Sequence, residues 1–398
     1  MAVSSEREPR TDSRYSGTPP SSSCSQFRPS REFTSNRIPY GGPDHVNIRN
    51  SKLVPYYYLG RGSFSQLSGL LASRRSEGGG SHAVIVIDHF FRDKSLLDLG
   101  FLETQDVVIY ADTTDEPTTS YVDKLADHVR TAGILPVAVV GIGGGSTLDI
   151  AKALSVLLTN AGPAEAYQGW DLPQNPAIYK IGIPTIAGTG AEFTRTAVLT
   201  GPVKKLGINS DFSVFDQVIL DADLLKTVPK EQFIYTAMDC FVHNEESLLG
   251  RMNDAMTIAL AEKSLEMMKD IFLGKMDEER LLIASSLGGI AVANSSVGIC
   301  HPFSYGLSLV LGLHHGFAIT IAFNQLGEYY PNVSVFRDIL RRHDVVLPKV
   351  VTAEVTEEQL DVMAEATLKN ERPLSNAFGD NWRSVFSKEK VKSILRRM

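Results

Sequence analysis

The sequence predicts an α/β amino-terminal domain built on a parallel sheet, followed by an all-helical carboxyl-terminal domain. Short β-branched runs alternate with helical stretches as far as Asp221, and the strand signal then stops. Beyond that point apolar residues recur at spacings of three and four, the period of a helix. Strands that are apolar throughout, rather than at alternate positions, belong to a parallel sheet covered on both faces.

Residues 1–48 stand apart, with ten serines in the first 36 positions among Pro, Arg and Gly and almost no aliphatic residues. Such a stretch buries too little apolar surface to offset its ordering entropy, so a disordered, dispensable tail is expected. The α/β domain is expected over 49–221. Its strands are AVIVID at 83–88, DVVIY at 106–110, PVAVVGI at 136–142, YKIGIP at 179–184 and QVILD at 217–221. Helices at 120–132 and 149–159 lie between them, the second opened by Asp149. The helical domain is expected over 222–398, with helices at 223–273, 277–297 and 305–328. One of its stripes is Met256, Leu260, Ser264 and Met267.

Composition narrows the classes of function. Of 398 residues 43% are hydrophobic and 21% charged, as in ordinary globular chains. A formal charge of −7 with no basic stripe excludes nucleic acid as the expected partner. No apolar run approaches the roughly 20 residues that span a bilayer, and no signal-peptide segment opens the chain, so no membrane association is expected. Three cysteines, Cys24, Cys240 and Cys300, make no disulfide framework and fit a cytoplasmic setting.

The most informative residues are Asp239, His243, His301 and His315. Asp239 and His243 are four apart and share one helix face. Three imidazoles and a carboxylate suit Zn²⁺ or Fe²⁺ over Mg²⁺ or Ca²⁺, which prefer oxygen shells. Upstream, Gly143, Gly144, Gly145 and Ser146 follow a strand and open a helix, where backbone N–H groups and the helix dipole receive a pyrophosphate. This run is not G-x-G-x-x-G, because Ser146 replaces the last glycine. A second turn, PTIAGTGAE at 184–192, offers Thr185, Thr189 and the bare backbone of Gly188 and Gly190 on the same sheet edge. Asp88 ends a strand, where it either accepts from ribose hydroxyls and repels a 2′-phosphate or caps a turn. Arg195 stands in the otherwise apolar AEFTRTAVL, as a fork for a substrate carboxylate or as one half of a structural salt bridge.

GGGSTLD at 143–149, PTIAGTGAE at 184–192, Asp239-x3-His243 and His301-x13-His315-Gly316 together resemble the iron-containing (group III) alcohol dehydrogenases, over about 58–330. The resemblance implies a dehydroquinate synthase-like fold with the active site between the two domains. It implies NAD and a divalent metal as cofactors, and hydride transfer from a polyol or sugar alcohol. Lys205 then matches a lysine beside the nucleotide. Tyr305 occupies the position of a family histidine near the nicotinamide, and Tyr305 and Asp149 are the candidate catalytic groups. Within the family, GRGSFSQL at 60–67, YQGWDLP at 167–173, 194–221 and SYGLSLVLGLHHG at 304–316 resemble the subgroup that oxidises the terminal CH₂OH of 3-deoxy-octulosonate, a sugar acid. Other polyols, antibiotic-pathway sugars and a dehydroquinate synthase-like cyclisation are the alternatives. A non-catalytic metal- or nucleotide-binding regulator is a further one, disfavoured by the complete ligand set. A homodimer is the expected assembly.

Overall fold

The computed structural model describes residues 51–77, 82–94, 97–202 and 205–398, so the expected tail at 1–48 lies outside the described residues. All described residues fall within one compact unit. Nine strands occur among them: β1 Tyr56–Leu59, β2 Ala83–Asp88, β3 Val107–Ala111, β4 Ala138–Gly143, β5 Gly169–Trp170, β6 Lys180–Pro184, β7 Thr196–Thr200, β8 Lys205–Asn209 and β9 Gln217–Leu220. Six form a wholly parallel sheet in the order β1-β9-β6-β4-β2-β3. Every residue of β4, β6 and β9 is buried, which is why these strands read as unbroken apolar runs.

The pleat sends successive side chains to opposite faces. Val84, Val86 and Val139 pack beneath α2 (Thr119–Arg130) and α3 (Gly145–Leu157), and Ile85, Ile87, Val140 and Ile142 beneath α1 (Gln66–Glu77). β1 escaped the sequence reading because all four of its residues are exposed and leave no burial pattern. The smaller sheet, β5-β8-β7, contains the antiparallel β7–β8 hairpin that carries Arg195 just before its first strand.

The helical half begins with α4 Lys230–Leu249, α5 Ala255–Leu273, α6 Glu278–Ser295, α7 Cys300–Leu311 and α8 His315–Gln325. It continues with α9 Val333–Arg342, α10 Glu357–Leu368, α11 Glu371–Phe378, α12 Trp382–Val385 and α13 Lys388–Leu395. Three details depart from expectation, the first being that 223–273 holds two α-helices, α4 and α5, that begin only at Lys230. Met256 is 58% exposed, and the buried stripe of α5 runs instead through Ala261, Ser264, Met268 and Phe272. The expected helix at 305–328 is two helices, broken at Gly312, which ends α7 with φ +65°. Among the described residues no single helix is long and apolar enough to cross a membrane; α6 and α7 pass only as a pair bent by 101°. Cys240 and Cys300 are buried and free.

Candidate active site

Neighbouring strands end in register: Ile87 pairs with Ile142, and Gly143 with Pro184. β3 lies on one side of β2 and β4 on the other, so the chain direction across the sheet switches there. A crevice opens outside the carboxyl ends of strands at such a switch. Asp88 and the turn at 143–146 stand on that edge, and Asp88, Gly144, Gly145 and Ser146 line a cleft of about 720 Å³.

The glycine turn is built for close approach. α3 begins at Gly145, not at Asp149, and Gly144 precedes it with no side chain capping the helix. Its first N–H groups are therefore open to an anion. A Cβ on Gly145 would meet Thr189 Cγ2 at 3.0 Å, so the two turns abut. Asp149 sits in the second turn of α3, where Oδ2 accepts from Val198 N at 3.0 Å and Oδ1 lies 3.7 Å from Lys152 Nζ. Burial pushes its carboxyl up to about 6, against the pull of Lys152.

The second turn departs from its expected role. Thr185 and Thr189 line the cleft, but the N–H groups of Gly188 and Gly190 both donate to Ser285 Oγ on α6, at 2.8 and 3.2 Å. The glycines are there for packing against the helical half, not for bare backbone at a nucleotide. Asp88 is an N-cap as well as a cleft residue. It accepts from Phe90 N at 3.0 Å, Thr113 Oγ1 at 3.1 Å and Thr147 Oγ1 at 3.3 Å. Lys205 lies on the cleft with Nζ 3.0 Å from Glu116 Oε2.

Asp239, His243, His301 and His315 converge. The Nε2 atoms of His243, His301 and His315 lie 3.5, 3.7 and 3.6 Å from the same Asp239 Oδ1. Asp239, His301 and His315 offer donor atoms all within 4.8 Å of one another. His243 sits on the Asp239–His301 side of that triangle, its Nε2 3.1 Å from that of His301. Ligands of a tetrahedral ion with bonds near 2.1 Å stand about 3.4 Å apart, so these spacings fit a divalent metal. Asp239 Oδ1 is moreover buried without a hydrogen-bond partner, an arrangement that is costly unless a cation meets it.

The electrostatics agree with that fit. Burial raises the Asp239 carboxyl to about 7, and burial with His301 nearby lowers His243 to about 3. Burial, Lys205 and the other two histidines hold His315 well below its usual value. Both rings are thus neutral, the form that binds metals. On His301 burial is outweighed by Glu246 and Asp239, and its affinity for a proton rises.

Glu246 was not legible as a functional residue, although it follows Asp239 and His243 on the same helix face at i+7 and i+3. Its Oε2 meets His301 Nδ1 at 2.6 Å, and its Oε1 accepts from Cys300 N at 2.7 Å and Tyr330 OH at 3.1 Å. This fixes the proton on Nδ1 and aims the Nε2 lone pair at the metal position. Glu246→Gln is expected to weaken metal retention roughly 10- to 100-fold, the usual scale for such supporting carboxylates, as read by metal analysis after chelator challenge.

Tyr305 lines the cleft with its ring 6.1 Å from that of His301 and 5.9 Å from that of His315. Burial and the Asp239 carboxylate push its hydroxyl above the usual phenol value, so near neutrality it is a proton-bearing donor. Arg195, read as a fork for a substrate carboxylate or as a salt-bridge partner, takes the second role here. Its Nη2 is bonded to Asp171 and its Nε lies 3.3 Å from Asp211. His314 is exposed on the cleft wall.

Comparison with known proteins agrees with this architecture. Residues 55–222 match the iron-containing alcohol dehydrogenase family, and 233–346 match the carboxyl-terminal domain of the same family. A sulfoacetaldehyde reductase of Bilophila wadsworthia is 33% identical over 253 residues, covering 59% of this chain and 64% of that protein. An NAD-dependent methanol dehydrogenase of Bacillus methanolicus is 27% identical, covering 68% and 72%. A 1,3-propanediol oxidoreductase shares the fold at a TM-score of 0.74 and 21% identity, over 88% of this chain and 99% of that one. The sulfoacetaldehyde reductase of Bifidobacterium kashiwanohense, solved with NAD⁺, does so at 0.72 and 20%, over 88% and 98%. With both halves matched, and with Asp239, His243, His301 and His315 brought together in the fold, the chain belongs to the iron-containing alcohol dehydrogenase family.

Proposed function

We propose that this protein is a metal-dependent, NAD-linked oxidoreductase that interconverts a terminal primary alcohol and its aldehyde on a small acidic substrate. A sugar acid such as 3-deoxy-octulosonate is the first candidate. The observation that carries the reading is that the phosphate-receiving turn and the metal constellation open onto one cleft. When bound, the metal supplies Lewis-acid polarisation of the alcohol oxygen and NAD accepts the hydride.

The chain's own residues then have distinct tasks. The N-terminus of α3 at Gly144, Gly145 and Ser146 receives the pyrophosphate, with Thr185 and Thr189 beside it. Asp239, His243, His301 and His315 hold the metal, and Glu246 orients His301. Lys205, braced by Glu116, faces the nucleotide, and Tyr305 offers a donor next to His315. The acidic substrate is supported by the 33% identity to an enzyme named for sulfoacetaldehyde, itself an anionic aldehyde, and by the sugar-acid likeness at 194–221. Nicotinamide absorbance with iron- or zinc-loaded protein against sugar acids, sulfonated aldehydes and neutral alcohols tests the reading. Turnover with none of them overturns it, and turnover with neutral substrates alone overturns the acidic part.

Asp88 gives a second test. A carboxylate at the end of β2 repels a 2′-phosphate, so NAD is expected to be used better than NADP. Asp88→Ser should narrow that preference in kcat/KM. A wild type that uses NADP equally well removes the role given to Asp88.

A further inference from the structure

We infer that Ser296, at the corner between α6 and α7, is a specificity-determining residue that recognises, with Asn294, a hydroxyl on the carbon chain of the substrate. This rests on the reading of an alcohol–aldehyde oxidoreductase and selects, within it, a polyhydroxylated substrate over one whose chain carries no further hydroxyl.

Ser296 holds a backbone conformation that any side chain disfavours. It ends α6 with φ +67° and ψ 161°, a region confined essentially to glycine. The other non-glycine residues with positive φ among the described residues are Asp171 and Asp344, of a type that tolerates it. Its surroundings hold Ser296 in place. Its N–H donates to Val292 O at 2.8 Å. Asn376 of α11, only 1% exposed, sets Nδ2 at 3.0, 3.3 and 3.0 Å from the carbonyl oxygens of Ser295, Ser296 and Val297. Asn376 is itself fixed, its Oδ1 accepting from Met252 N at 2.9 Å. Strain that is maintained in this way on the wall of a cleft points to a use for the side chain.

The corner belongs to the substrate side of the metal position. Asn294, Ser296 and Val297 line the same cleft as His243 and His301. Two residues on, a Cβ at Gly298 would meet Glu246 Cγ at 3.1 Å, and Cys300 N donates to Glu246 Oε1 at 2.7 Å. The corner and the ligand His301 therefore share one support. The Ser296 hydroxyl is neither buried nor hydrogen-bonded among the described residues. Its neighbour Ser295 differs: it is fully buried, with Oγ bonded to Ser247 Oγ at 2.9 Å and Ala291 O at 3.0 Å. Asn294 gives Nδ2 to Ile290 O at 2.8 Å and keeps Oδ1 as an acceptor. A serine hydroxyl can donate while an amide oxygen accepts, and a substrate hydroxyl does both. A site made to bond a hydroxyl discriminates against a chain that lacks one.

The test compares wild-type, Ser296→Ala and Ser296→Gly protein, full length and metal-loaded, in the reduction of glyceraldehyde and of propanal with NADH. Both aldehydes have three carbons and differ in their hydroxyls. Both variants should lower kcat/KM for glyceraldehyde about 10-fold more than for propanal. Ser296→Ala removes the hydroxyl and keeps the strain. Ser296→Gly removes both, so its thermal midpoint should equal or exceed that of the wild type. A readout without turnover is the binding of gluconate and of hexanoate, six-carbon acids with and without hydroxyls, followed by saturation-transfer NMR. The Kd of gluconate should rise about 10-fold in both variants, and that of hexanoate far less. Equal losses on the two aldehydes, an unchanged gluconate Kd, or a Ser296→Gly midpoint several degrees below wild type overturns the role given to Ser296. Absence of any nicotinamide turnover by the wild type would overturn the functional reading instead, and the gluconate titration would still decide the role of Ser296.

Discussion

His301→Ala and His315→Ala should each abolish alcohol oxidation and strip the protein of metal, whereas His314→Ala should cost far less of either. The two histidines share the same sequence neighbourhood, but only His315 brings Nε2 within 3.6 Å of Asp239 Oδ1. His314 precedes α8 and faces solvent on the cleft wall. Removing a ligand leaves the buried Asp239 carboxylate without its full complement of partners, a situation that also favours loss of the ion. Metal analysis of each purified variant, alongside nicotinamide turnover, decides the matter. Metal loss from His314→Ala equal to that from His315→Ala would overturn the ligand assignment.

Gly188→Ala should be the most damaging single methyl in the described chain. Gly188 has φ +148°, and a Cβ there would stand 1.8 Å from the carbonyl oxygen of Thr236. That carbonyl belongs to α4, the helix that also carries Asp239, His243 and Glu246. Relief requires α4 to shift or the turn to unwind, which also breaks the two hydrogen bonds to Ser285 Oγ. Strain, overpacking and lost hydrogen bonds together should cost about 3 kcal/mol or more. Thermal unfolding should show a midpoint lowered by many degrees, with metal content reduced because the ligand helix has moved. A Gly188→Ala protein with unaltered midpoint and metal content would mean that the close approach between turn and helix is not maintained in solution.

Much was determined by the sequence alone. The apolar runs at 83–88, 138–142 and 180–184 lie in strands because a strand buried on both faces has no polar side to interrupt it. Asp239 and His243 share a face because a helix repeats every 3.6 residues, and the glycine cluster marked the anion-receiving end of α3. What only the tertiary structure decided are the pairings between segments distant in the chain. Sequence could not choose between an Arg195 that grips substrate and one that is neutralised, because Asp171 and Asp211 reach it through a hairpin and a loop. Nor could it say that Gly188 and Gly190 serve the packing of α4 and α6, since a glycine's signal is the same whether a ligand or a helix comes close. Glu246, Cys300 and Tyr330 form one hydrogen-bonded group around His301 although up to 84 residues separate them. Periodicity reports which face of an element is buried; only folding determines what that face meets.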